Sequence, residues 1–212
     1  MADTVAGLPG RGQTLLSGAG RTLSSSGQAS KLEGLAKWFA DRDSTATGLN
    51  ALRSQKRVLM MLVRNASGIA LASKAVVTWA SGYRNKRVAG YCTLDHQEIA
   101  GVVDEFIGSS GVPANDLFWL AVKGPALVRK SNAADATCLI NAGDILTSLT
   151  AATSQAATAG RIQPFGTTTN VTNAVSIILN RIGRALSAST TSQTGGSATP
   201  NLLVDLELIA QD

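Results

Sequence analysis

This sequence predicts a mainly β fold: a compact β-barrel or jelly-roll-like sandwich preceded by an extended N-terminal arm and one short helix. Three observations carry the prediction. From Arg57 onward, apolar segments of strand length recur between Gly, Ser, Asn and Pro breaks. Only 16% of residues are charged and 4% aromatic, against 21 glycines, a balance that suits a turn-rich β architecture better than a helical bundle. Residues 1–56 lack that regular spacing, which divides the chain into an arm, 1–56, and a body, 57–212. With 212 residues and 44% hydrophobic content, the chain is long enough to bury a sizeable core.

The first thirty residues are rich in Gly and Ser and carry scattered leucines at Leu8, Leu15, Leu16 and Leu23 without helical or strand period. They cannot build a core alone. A solvated linker has no need of those leucines, so an extended arm docked on a partner is the sharper reading and a disordered tail the blander one. In "SKLEGLAKWFADRD", Leu32, Leu35, Ala36 and Phe39 follow helical spacing, with Ser30 as N-cap and Glu33 completing a capping box. The spacing predicts a short amphipathic helix over 30–42, weakened by about 1 kcal/mol at Gly34.

Strands are then expected at 57–65, 68–80, 86–94, 99–107, 117–124 and 126–130, with more within 136–149 and a last one at 201–210. In the last, Leu203, Asp205 and Glu207 alternate with Val204, Leu206 and Leu208, as a strand with one wet face requires. Residues 172–190 read equally as helix or strand, and 191–200 as a loop by composition. The stretch "DLFWLAVKGPALV" is expected to break at Gly124-Pro125 into two strands. Its adjacent Phe118 and Trp119 must point to opposite faces. One ring is expected in the barrel core, and the other, Trp119, against a second layer or a sister subunit.

Chemistry is sparse. The single histidine, His96, sits in a polar turn beside Asp95 and Glu98, short of the three or four convergent ligands that a metal needs. Asp104 and Glu105, adjacent on an expected strand, should face opposite ways and share no substrate. The glycine spacing in "GRGQTLLSGAGRTL" lacks the Gly-Lys-Ser/Thr of a phosphate loop, and no Gly-x-Ser-x-Gly elbow occurs. No catalytic, cofactor-binding or metal-ligating residue is therefore assigned, and no cofactor is expected.

The net charge of +5 is concentrated at the front, where residues 1–57 hold eight Lys or Arg against four Asp or Glu. No dense basic block interleaved with aromatics follows, so nucleic acid is not the expected partner. Cys92 and Cys138 read as two buried free thiols, with a disulfide between them as the open alternative. No signal peptide and no apolar run of membrane-spanning length is read, so the chain is expected to be made in a cytoplasm, without a membrane partner. Asn65 and Asn170 are then not glycosylated.

The succession "VRNASGIAL", "VAGY", "AGVVDE", "GVPANDLFWLAVKGPALV", "AGDILTS", "ATAGR", "IGRALSAST" and "LLVDLELI" resembles a family of small structural proteins encoded beside the major capsid protein in tailed bacteriophages. These are the head decoration, or cement, proteins. The resemblance covers residues 57–210. It implies a barrel-like body, often a homotrimer, seated on the outer surface of the virion head and clamping major capsid protein subunits. On that reading the capsid contacts are expected at Arg11, Leu15, Leu16, Arg21, Leu23, Leu35, Trp38 and Phe39. The alternatives are a tail-fibre or receptor-binding module, acting through loops such as 191–200, and a hydrolase with a pocket converging on His96. Neither a coiled-coil nor a β-helical shaft is read, which disfavours the fibre module.

Overall fold

The computed structural model describes residues 10–14, 32–44, 51–92, 98–130, 140–148, 162–164, 181–188 and 201–208. Its architecture is mainly β, and the described residues form ten strands in one mixed sheet. They are β1 (Ala36–Arg42), β2 (Leu52–Asn65), β3 (Val76–Trp79), β4 (Arg87–Tyr91), β5 (Ile99–Val103), β6 (Leu117–Arg129), β7 (Ile145–Ser148), β8 (Ile162–Pro164), β9 (Arg181–Ala185) and β10 (Asn201–Glu207). The ambiguity at 172–190 resolves to strand over β9.

Five strands close on themselves. β2 pairs with β4 in parallel, β4 with β3, β3 with β5, β5 with β6 and β6 back with β2, the last four antiparallel. Closure leaves these strands no open edge within the ring. The far half of β6 leaves the ring and pairs with β10, and β9, β7 and β8 follow in order. A single parallel bridge between Lys130 and Ile162 ties β8 back to the end of β6. β6 is thus shared between both halves of the molecule.

The expected break at Gly124-Pro125 does not occur, because at that point the strand changes partners rather than ending. Lys123 lies opposite both Leu59 of β2 and Glu207 of β10, and the register slips by one residue at Leu59/Met60. Gly124 takes φ 91°, and a Cβ there would stand 2.4 Å from the Arg57 carbonyl oxygen. Only glycine permits that conformation at that approach.

Alternation along the ring strands feeds two hydrophobic clusters. Met61, Val63, Phe118 and Leu120 join Val77, Val88 and Val103 in one, closed by Leu71, Ile107 and Val112 from the connecting loops. Val58, Met60, Leu62, Trp119 and Ala121 point the other way, into a larger cluster that continues through Val128, Leu146, Ile162, Ile182 and Val204. Both aromatic rings of "DLFWLAV" are therefore buried in this chain, on opposite sides of β6. The second layer that covers Trp119 is the chain's own, with Phe39 edge-on at 5.1 Å, so neither Phe118 nor Trp119 is presented to a sister subunit.

Two expectations for the front of the chain are corrected. The helix over 30–42 gives way to a turn at Leu32–Gly34 and the strand β1, which pairs antiparallel with β2 from Ala36↔Met61 to Arg42↔Leu52. A helix of that length with an internal glycine is marginal in water, whereas the N-terminal half of β2 offers an open ladder. Burial along β1 has the period of a strand at its end: Phe39 and Asp41 turn inward, while Trp38, Ala40 and Arg42 face solvent. Glu33 is no capping residue. Its buried carboxylate takes Arg64 on one oxygen and Arg87, at 3.0 Å, on the other, which anchors the turn to β2 and β4. The body accordingly begins well before Arg57.

In the sequence "NAS", the Asn65 side chain is committed to packing between loops. Its Nδ2 donates to the carbonyls of Ile69, Val112 and Pro113, and its Oδ1 accepts from the backbone and hydroxyl of Ser67. The side chain is spent on holding two loops together in a fully buried position. Cys92 is likewise buried, in the larger cluster; Cys138, Asn170 and the loop 191–200 lie outside the described residues.

Candidate binding surface

Of the eight residues expected to meet a capsid, Leu15, Leu16, Arg21 and Leu23 lie outside the described residues. Arg11 points inward, contrary to its assignment. Its Nη2 stands 2.9 Å from Asp104 Oδ1 and 3.7 Å from Glu105 Oε1, its guanidinium covers the Phe106 ring at 4.4 Å, and its Nη1 donates to the Ala40 carbonyl. The neighbouring Gly12 amide donates to Asp104 Oδ2 at 2.9 Å. A side chain at Gly12 (φ 76°) would collide with the Phe106 carbonyl, 2.6 Å from the Cβ position. "Gly-Arg-Gly" is thus a plug for a socket in the body, a role that composition alone does not reveal.

The socket also corrects the reading of Asp104 and Glu105. Both fall just past the end of β5, where strand alternation no longer applies, and both turn to the same guanidinium. Arg53 completes the cluster: its Nη2 donates to Glu105 Oε2 at 2.6 Å and to the Arg42 carbonyl at 2.9 Å, and its Nη1 stands 3.5 Å from Asp41 Oδ1. Ser54 donates to the other Asp41 oxygen at 2.7 Å, and Ser44 to Glu105. Arginines therefore occupy the space between these carboxylates. Among the described residues no group of three or more His, Cys, Asp or Glu is placed to hold a metal, and Asp95 and His96 lie outside them.

Burial pushes the Asp104 carboxyl above its ordinary 3.8, opposed by the charge and hydrogen bonds of Arg11 and by the amides of Gly12 and Phe106. Asp41 is also raised, chiefly by burial, against the Ser54 hydrogen bond and the Arg53 charge. A carboxyl raised in the folded state binds its proton there before it does so in the unfolded chain. Its contribution to stability is then full below 3.8 and lost as pH rises through the folded value. Melting temperatures of the parent and of Asp104→Asn, followed from neutral pH down to about 4, should show the parent gaining on the variant as the pH falls. The opposite slope would mean that Arg11 outweighs burial.

The remaining three assigned residues divide. Phe39 is half-buried and packs on Trp119. Leu35 and Trp38 are 40% and 49% exposed, Leu35 just before β1 and Trp38 within it, at one edge of the sheet. Trp38 forms one wall of an open groove of about 490 Å³ that crosses β1, β2, β6 and β10. Gly124, Pro125 and Leu206 also line it, with Lys56, Arg57, Lys123, Asp205 and Glu207. Lys56 pairs with Asp205 at 2.9 Å, and Glu207 is held by Arg181 and Arg184. The charged members were not legible as a group, because they come from strands far apart in the chain, Lys56 and its partner Asp205 being separated by 149 positions.

Comparison with protein-family models, with curated proteins and with solved structures returned no match to this chain. Among the described residues no helix is long and apolar enough to cross a membrane.

Proposed function

We propose that this chain is a virion structural protein of a tailed bacteriophage, a decoration or cement protein. It would seat on the outside of the head and tighten contacts between major capsid protein subunits, as a homotrimer. The observation that carries the reading is the edge strand β1, which presents Trp38 to solvent, with Leu35 exposed just before it. A large aromatic side chain left half-exposed on an open sheet edge is characteristic of contact sites. The buried arginine–carboxylate cluster supports it from behind, because it ties the arm residues 10–14 to the body close to β1. One such contact is modest, but a trimer that engages several capsid subunits gains through effective concentration.

The test is co-sedimentation of the full chain with expanded, empty heads assembled from the capsid protein encoded beside it. Saturable binding is expected, and Trp38→Ser should weaken it about tenfold or more, as loss of an aromatic anchor does. Sedimentation velocity would report the trimer. Heads that leave the chain in the supernatant would sink the proposal, and retention on host-surface glycans instead would favour a receptor-binding module.

A further inference from the structure

The groove beside Trp38 has a charge pattern that specifies its occupant. We propose that it receives an extended, acidic segment of a partner protein, with an apolar residue of that segment laid against the Trp38 ring. The inference names the partner chemistry for the surface on which the decoration reading rests.

Of the groove's three cations one is already neutralised and two are not. The Lys56 ammonium is taken by Asp205, and Glu207 is turned to Arg181 and Arg184. Arg57 and Lys123 remain, both exposed and with no anionic partner among the described residues. They stand on neighbouring strands, Lys123 opposite Leu59 and Arg57 two positions before it on β2. Trp38 is also opposite Leu59, on the other side of β2. In a pleated sheet these residues share one face, so two free cations and one half-exposed indole converge there. Carboxylates at alternate positions of an extended peptide face the two cations, and an apolar side chain two positions beyond the carboxylate at Arg57, on the same face, meets the ring.

Dimensions agree with that occupant. Four adjacent strands at about 4.8 Å spacing span roughly 14 Å, the length of about four extended residues at about 3.3 Å each. The rim argues against the other polyanions. Asp205 and Glu207 line the same groove, and their charge disfavours a continuous run of phosphates. A peptide can space its charges to avoid those two carboxylates.

The experiment uses the full chain and a fluorescently labelled, capped peptide Glu-Ser-Glu-Ser-Leu, whose two carboxylates and leucine share one face when extended, followed by anisotropy. Saturable binding that weakens with added salt is expected, with no binding of the Lys-Ser-Lys-Ser-Leu counterpart. The double variant Arg57→Glu/Lys123→Glu should weaken binding about tenfold or more, while Lys86→Glu, an exposed cation outside the groove, should leave it unchanged. All three proteins should melt together, since each substituted side chain is exposed. Equal weakening by Lys86→Glu, an unaffected double variant, or preference for oligothymidylate or a glycan over the acidic peptide would overturn the proposal. Head binding separates this inference from the one beneath it. Peptide binding without head binding would leave the groove standing and remove the decoration reading, whereas head binding undiminished in the double variant would overturn the groove as the capsid's seat.

Discussion

Trp119→Ala will destabilise the chain by about 3–5 kcal/mol, the largest effect expected of any single truncation here. The indole is 1% exposed and sits where the larger cluster passes from the ring to the second group of strands. It lies opposite Leu62 across the β2–β6 ladder and meets Phe39 of β1 edge-on, with the ring planes at 70°. Removing it deletes contacts with both elements and leaves a void walled by paired strands, which have little freedom to collapse inward. Urea unfolding should show the loss as a lower midpoint with an unchanged slope. The matched control is Trp38→Ala, which should stay within about 0.5 kcal/mol of the parent because half of that side chain is already in water. A loss below about 1.5 kcal/mol at Trp119 would contradict the packing described.

Arg53→Ala is expected to cost about 3 kcal/mol through electrostatics rather than packing. The guanidinium stands between the Asp41 and Glu105 carboxylates, whose side chains are 1% and 3% exposed, and also caps the Arg42 carbonyl. Without it Asp41 keeps Ser54, and Glu105 keeps Ser44 and a longer contact to Arg11, but two buried carboxylates then face each other uncompensated. Breaking a buried pair from one side costs more than the pair is worth, because the partner's desolvation is no longer repaid. The double variant Arg53→Ala/Glu105→Gln should therefore recover part of the loss. If the two single losses simply add, the cluster is not a coupled unit and its description as a socket fails.

The two residues illustrate what a reader of the sequence can and cannot obtain. That adjacent Phe118 and Trp119 must occupy opposite faces follows from strand geometry alone, and both faces prove to be apolar. Nothing local distinguishes Arg53 from the other basic residues of the front segment. Its carboxylates, Asp41 and Glu105, arrive from β1 and from the turn after β5, and Arg11 arrives from the arm. Helical spacing at Leu32, Leu35, Ala36 and Phe39 was real but misleading. A segment of that size obeys whichever neighbour satisfies its backbone, and the open ladder of β2 did so.

The groove lies wholly on the tertiary side of that divide. Trp38 was singled out from the sequence as an interaction residue, and it is exposed. Arg57 and Lys123 were not singled out, because their proximity depends on β6 crossing from one set of strands to the other at Gly124. The sequence by itself determined the mainly β class, the opposite-face placement of the aromatic pair and the glycine-rich character of the arm. Each of these follows from side-chain period, composition and turn chemistry within a few residues. Ring closure, the conversion of residues 36–42 to an edge strand and the inward turn of Arg11 were decided by the tertiary structure. They rest on backbone ladders and buried charge pairs between segments far apart in the chain, whose energies no local window of sequence contains.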